Sequence, residues 1–399
     1  MTLDIKETII AGGGPEDYPT VRHLVLRGSQ IDIGRHLAAI AGDRHGMGLM
    51  PSSDSLITRV NREYMQQNWP THYQRMLGAA EVFEVDLLGD QLEFGHLFTL
   101  PGCSNVYYPN NTTANGHAMF SRNYDFPVNP EGLPASTTDP YLMEIYPDEG
   151  YPSLFMCAYD LLGIATDGIN SEGLTMALLS DNETGLPLID TEFPANCCYN
   201  FGDFTDHSPG VGIWSAQLPR YILETCKDAH EAKEKLLTTM HYYIGHPLHY
   251  IVGDRHGDGF VFEGMQQGNK PLFHDCGGAP LPVTNHPLRE HEVLNHESVT
   301  GSVERLETVK KRLAAHNAPL DMDFIRANAE CVAAVQPVGE GQYAGEVPAR
   351  TLWHGYYDLE ERSLTINYFI RDTGDEAAPV IHRSDDLHFQ LRTLGNGQF

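Results

Sequence analysis

Lysine is nearly missing from this 399-residue chain: Lys6, Lys227, Lys233, Lys235, Lys270, Lys310 and Lys311 complete the set. With 54 Asp and Glu against 26 Lys and Arg, the formal net charge is −28. Such a surface repels phosphate backbones and anionic bilayers, so neither nucleic acid nor membrane is an expected partner. It fits an acidic protein kept soluble by its charge, or adaptation to a salty host. No apolar run nears the roughly 18 residues that a membrane-spanning helix needs. The opening residues, MTLDIKETIIAGGGPEDYP, carry acidic groups and no apolar stretch before a small-residue cleavage site. No secretory signal is therefore expected, and the cytoplasm is the expected location. An odd number of cysteines, seven, argues against a disulfide framework, and without a CxxC pair a structural zinc site is not expected. Internal repeats and low-complexity tracts are missing too. AGGGPED is no phosphate loop, since no G-x-x-x-x-G-K-[ST] pattern occurs. HYYIGHPLHY lacks a carboxylate at metal-ligand spacing, and Pro247 breaks any helix there. No metal or cofactor is expected.

What is present reads as an α+β chain. Residues 21–27 (VRHLVLR) predict a strand, followed by a helix over about 29–41. Residues 54–95 carry apolar positions at helical spacing, Leu56, Val60, Tyr64 and Met65 among them. FTLPGCSNVYYP breaks that pattern. Short β-rich runs then dominate to about residue 180: SNVYY, HAMFS, YLMEIYP, SLFMCAY, GIAT and LTMALLS. A helical block follows at about 214–240, and DRHGDG marks a hairpin turn inside HYIVGDRHGDGFVFEG. A further helix is predicted over about 302–316, and the strands TLWHGYYDL and SLTINYFI come near the end. Strands in two batches, flanked by helices, point to two packed antiparallel sheets with helices outside. The natural seam falls at Gly102–Cys103, between a largely helical segment 1–102 and a mixed segment 103–399.

Taken as a hairpin, SNVYY–PNNTTANG–HAMFS–RNYDF centres near Thr112–Thr113 and puts Cys103 opposite Arg122, with Asp125 just past the same end. A thiol, a guanidinium and a carboxylate would then meet at one sheet edge. A cation beside a cysteine favours the reactive thiolate. The same residues would also make a buried cysteine beside an ordinary surface ion pair, and spacing alone favours that plainer reading.

The pattern GCS…NG…RNYDF resembles the nucleophile region of the choloylglycine hydrolase and penicillin acyltransferase superfamily. There a cysteine begins a strand and an R/Q-N-x-D motif ends its hairpin partner. LRGSQIDIGRHLA (26–38) resembles the opening of the pro-segment in the acyl-coenzyme A:6-aminopenicillanate acyltransferase branch. DGINSEGLTMALLS (167–180), PVTNHPL (282–288), SVERLE (302–307) and TLWHGYYDLEERSL (351–364) resemble later family segments in the same order. The resemblance implies a four-layer αββα sandwich of the N-terminal-nucleophile (Ntn) hydrolase type.

It also implies roles. Cys103 would be the nucleophile, freed by self-cleavage after Gly102, with its own α-amine as base. An α-amine titrates near 7.7–8.0, roughly where base work at neutral pH needs it. Arg122 and Asp125 would flank thiol and amine, although Asp125 could equally cap a turn. Asn285 would donate to the tetrahedral oxyanion, with the backbone N–H of Ser180 as second donor; a plain loop asparagine before His286-Pro287 is the alternative, and the one that sequence alone favours. Arg305 would support the site electrostatically; a solvated helix arginine is the alternative. Cleavage would leave 102 residues and the remaining 297, packed together as subunits. Homo-oligomerisation stays open. The implied activity is hydrolysis of a small N-acyl compound, with acyl transfer to an amine or β-lactam nucleus as the near alternative. An unprocessed binding protein and a papain-like protease are the others; the latter's cysteine would open a helix, against the β-rich context here.

Overall fold

The structure, a computed structural model, describes residues 3–46, 48–51, 54–89, 92–93, 102–128, 137–157, 161–180, 211–242, 248–264, 271–288, 301–335, 348–375 and 378–392. Cys197 and Cys198, and most of the HYYIGHP segment, lie outside these residues.

Two large sheets dominate. Among the described residues the first has nine strands in spatial order Asp4–Gly12, Thr20–Gly28, Tyr141–Pro147, Ser153–Cys157, Asp167–Asn170, Leu174–Ser180, Leu248–Asp254, Gly259–Glu263 and Leu272–Asp275. The second runs Leu281–Val283, Gly102–Tyr108, Met119–Pro127, Ala349–Asp358, Ser363–Asp375 and Ala378–Arg383, with Leu387–Gln390 also paired to Ser363–Asp375. Neighbours in both sheets are antiparallel apart from one junction, where Thr20–Gly28 pairs in parallel with Tyr141–Pro147. That junction is where the segment ahead of Cys103 enters the sheet.

Side-chain alternation assigns the layers. Along the first sheet, Leu142, Leu154, Met156, Ile169 and Ala177 point inward, onto Cys103, Phe120, Tyr124, Tyr357 and Ile366 of the second. Their neighbours Tyr141, Met143, Phe155, Met176 and Leu178 point outward, onto Ile33 and Leu37, Met76 and Ala79, and Ile222 and Leu223. Those six lie on the helices Gln30–His45, Pro70–Val82 and Leu218–Thr225. On the far face of the second sheet, Val106, Tyr108 and Tyr356 meet Val309, Ile325 and Ala329 of the helices Ser302–Ala315 and Met322–Glu330. The order is helix, sheet, sheet, helix, the αββα sandwich that the resemblance implies.

Local chemistry sets the helix ends. Ser29 accepts from the backbone N–H of Asp32 at the start of Gln30–His45, and Gly46, at φ 63°, closes it in the left-handed conformation. The helical run predicted over 54–95 is two helices, Ser55–Asn68 and Pro70–Val82, because Pro70 suits only a first turn, and it stops at Val82 rather than 95, with Leu92–Glu93 a short strand. The block predicted over 214–240 also divides, and Asp228 caps the second helix, Ala229–Thr238, by accepting from Glu231 N–H.

Candidate active site

Cys103 is fully buried near the start of Gly102–Tyr108. The sequence placed it opposite Arg122; the structure places it opposite Tyr124, and Arg122 opposite Asn105. The two-residue correction comes from an asymmetric loop. Asn110–Thr112 forms a 3₁₀ turn, the Thr113 hydroxyl donates to the His117 carbonyl at 2.7 Å, and His117 turns out to Asp358 at 2.9 Å. The return strand therefore begins only at Met119. A shift of two preserves faces, so Arg122 still shares the inner face with Cys103, one pair further along. Asp125 stands opposite Gly102 on the other face, where the Thr351 hydroxyl donates to it at 2.5 Å.

Beyond Val283, which pairs with Asn105, the chain carries Asn285 alongside Cys103. The Cys103 backbone N–H donates to Asn285 Oδ1 at 2.7 Å. Asn285 Nδ2 donates to the Ser180 carbonyl at 2.8 Å, tying the end of Leu174–Ser180 in one sheet to the edge of the other. Arg305 reaches in from its helix: Nη1 donates to the Cys103 carbonyl and to Ser104 Oγ, both at 2.6 Å, and Nη2 donates to Asn285 Oδ1 at 2.8 Å. The same guanidinium lies 3.7 Å from Asp125 Oδ2. Residues far apart in sequence thus hold the backbone of Cys103 on both sides. Ser180 takes part through its carbonyl.

Four residues that the sequence reading had given no role complete the site. Ser302 Oγ accepts from the Asn285 backbone N–H at 2.7 Å. Arg122 Nη1 donates to Asn105 Oδ1 at 2.7 Å. Asp167 reaches from the first sheet to within 3.6 Å of Arg122 Nε and accepts from the Tyr357 hydroxyl at 2.6 Å. Asp167 and Ser302 begin the DGINSEG and SVERLE segments. Asn105 becomes readable only once the register is known.

Burial pushes the Cys103 thiol up to about 11; Arg122 and Arg305 pull against this, Asp125 and Asp167 with it. Burial likewise raises the Asp125 carboxyl, opposed by Arg305 and the Thr351 hydrogen bond. The thiol is therefore protonated at neutral pH and requires a base to react. Among the described residues no cluster of three or more His, Cys, Asp or Glu could hold a metal, and no helix is long and apolar enough to cross a membrane.

An αββα sandwich with a cysteine near the start of an inner strand is the architecture of the Ntn hydrolases. Residues 112–368 match the family model described as acyl-coenzyme A:6-aminopenicillanic acid acyl-transferase, and the chain belongs to that family. The match includes Arg122, Asp125, Ser180, Asn285 and Arg305 and begins after Cys103. No curated protein matches the chain. Among solved structures it is similar to penicillin V acylase from Agrobacterium tumefaciens, at 16% identity and TM-score 0.40 over 67% of this chain and 82% of that one. It is also similar to a variant of conjugated bile acid hydrolase from Clostridium perfringens, at 14% identity and TM-score 0.46 over 71% and 96% of the two chains.

Proposed function

We propose that the chain is a self-processing cysteine amidohydrolase that opens a linear N-acyl amide of a small molecule through a thioester acyl-enzyme. The supporting observation is the grip on Cys103: Asn285 at its backbone nitrogen, Arg305 at its carbonyl, and Arg122 on the face of its thiol. In processing, the thiol attacks the Gly102 carbonyl, the Gly102–Cys103 amide breaks as the acyl group moves from nitrogen to sulfur, and the nitrogen takes a proton. Water then hydrolyses the thioester, leaving a Gly102 carboxylate and a free Cys103 amine.

That amine supplies the base that a thiol near 11 requires. Its nitrogen is the atom Asn285 Oδ1 already holds, so the contact orients it after cleavage as before. The amine takes the thiol proton, sulfur attacks the substrate carbonyl, and charge collects on its oxygen. Asn285 Nδ2 has two hydrogens and gives one to Ser180, which leaves one for that oxyanion. The protonated amine then donates to the leaving nitrogen, the C–N bond breaks, and water completes the cycle on the thioester.

Family membership favours a second reading, in which an amine replaces water as acceptor. Intact mass of the purified protein beside Cys103→Ala tests the first. Fragments of 102 and 297 residues, an uncut variant, and loss of N-acyl hydrolysis in that variant are expected. A wild type that stays uncut for days would remove the base and sink the reading. Adding amine acceptors then separates the two activities by product.

A further inference from the structure

Asp167 is a buried carboxylate in the layer between the sheets that the proposed chemistry does not use. It begins the strand Asp167–Asn170 and faces the second sheet, as do its cross-strand neighbours Met156 and Ala177. Enclosing an ionised carboxylate in such a layer costs several kcal/mol, by order of magnitude, unless it is paired and hydrogen-bonded. Here it accepts from Tyr357 at 2.6 Å and from the Thr166 hydroxyl at 2.8 Å. Among the described residues its ion-pair partner is Arg122, whose Nε is 3.6 Å away.

Arg122 is also fully buried. Among the described residues Nη1 has Asn105, while Nε and Nη2 have no hydrogen-bond partner. Gly355 stands opposite it and adds no side chain; a Cβ there would lie 3.5 Å from Tyr357 Cε2 and 3.8 Å from Arg122 Cβ. The charges acting on Arg122 are Cys103, Asp167, Tyr124 and Asp125; those acting on Cys103 are Arg122, Asp125, Arg305 and Asp167. Tyr368, buried nearby, also feels Asp167.

We propose that Asp167 is a positioning residue: held by Tyr357 and Thr166, it is the buried counter-ion that fixes Arg122 beside the Cys103 thiol. The carboxylate fixes the guanidinium and offsets its charge, so the thiol keeps its proton until the α-amine removes it. Deleting the charge leaves Arg122 to the Cys103 thiolate and the Asp125 carboxylate. The inference rests on Cys103 being the nucleophile.

The test is a titration of the Cys103 thiolate by its ultraviolet absorbance, taken as the difference between each protein and its Cys103→Ala counterpart. Turnover is not needed, so a failed hydrolase reading shows separately, as activity that survives Cys103→Ala. In Asp167→Asn the thiol midpoint is expected to fall by about one unit, with kcat reduced and KM little changed. Asp167→Glu restores the midpoint. A folded Asp167→Asn with an unmoved midpoint would overturn the proposal. Where that variant does not fold, Arg122→Gln/Asp167→Asn removes both charges together. Recovery of the fold in the double variant supports the pairing; failure there too overturns it, because the carboxylate then serves Tyr357 and Thr166 instead.

Discussion

At the scale of single residues, the thiol of Cys103 carries a pH signature independent of any substrate. Its ordinary value is 9.0 and burial lifts it to about 11 in the folded chain. Between those values the unfolded chain has released the proton and the folded chain retains it. Folding stability therefore falls as pH rises through that window. Cys226, also raised to about 11 by burial, adds to the same slope. Thermal melts from pH 7 to 11 are expected to be level at first and to decline above about pH 9, less steeply in Cys103→Ala; parallel curves would contradict this assignment. At Asn285 the expected loss is in rate: Asn285→Ala should lower kcat by roughly 100- to 1000-fold, measured on the processed enzyme. Cys103, Arg122 and Asp125 were legible as a group because one hairpin holds all three. Their register was not, since it depended on how Thr113 and His117 fold the loop. Asn285 and Arg305 lie 182 and 202 residues from Cys103, beyond any local pattern, and only family resemblance pointed to them.

At the scale of elements, the helix Ser302–Ala315 acts as a two-point clamp. Ser302 and Arg305 stand three residues apart on one helix face, and they hold the backbone N–H and the side-chain oxygen of the same asparagine. Ser302→Ala would leave that N–H buried without its acceptor, at a cost of about 1–3 kcal/mol. A lower Tm together with a kcat loss larger than any KM change is expected; an effect on Tm alone would separate the helix from the site. The helices Gln30–His45 and Pro70–Val82 show a different constraint. A Cβ on Gly34 would lie 2.1 Å from the Arg75 carbonyl oxygen, and one on Gly78 2.1 Å from that of Ile31. Backbone meets backbone there, so Gly78→Ala should destabilise by more than the roughly 1 kcal/mol that alanine normally gains over glycine in a helix. Denaturant unfolding would show it. Apolar spacing was enough to read helix within 54–95, and the helices expected near 29–41 and 302–316 are present too. It failed for Asp4–Gly12, whose side chains are mostly exposed and which owes its place to pairing with Thr20–Gly28.

At the scale of the whole molecule, electrostatics divides into an outer and an inner part that respond differently to salt. The chain's net charge is −28, and its self-repulsion opposes the compact state. The inner part joins the two sides of the seam at Gly102–Cys103. Glu224, buried, accepts from Trp69 Nε1 at 2.9 Å, Thr71 Oγ1 at 3.3 Å and Arg75 Nη2 at 2.9 Å, all ahead of the seam, and from Arg220 Nε at 2.8 Å behind it. Arg75 then donates to the Leu162 carbonyl at 3.2 Å. Beside this cluster, Thr20–Gly28 forms an inner strand of the nine-stranded sheet through its parallel pairing with Tyr141–Pro147. Separation of two cleaved fragments would bare the edge of Tyr141–Pro147 and leave Glu224 and Arg75 without each other. Salt at about 1 M shortens the screening length to roughly 3 Å, which quiets surface repulsion but acts weakly on buried pairs. Added salt should therefore raise Tm while the processed fragments still elute together on size exclusion. Glu224→Gln should lower stability by about 3–5 kcal/mol and loosen the fragments. Fragments that part in high salt, with Glu224→Gln as stable as wild type, would mean that surface contacts hold the halves together and the buried cluster does not.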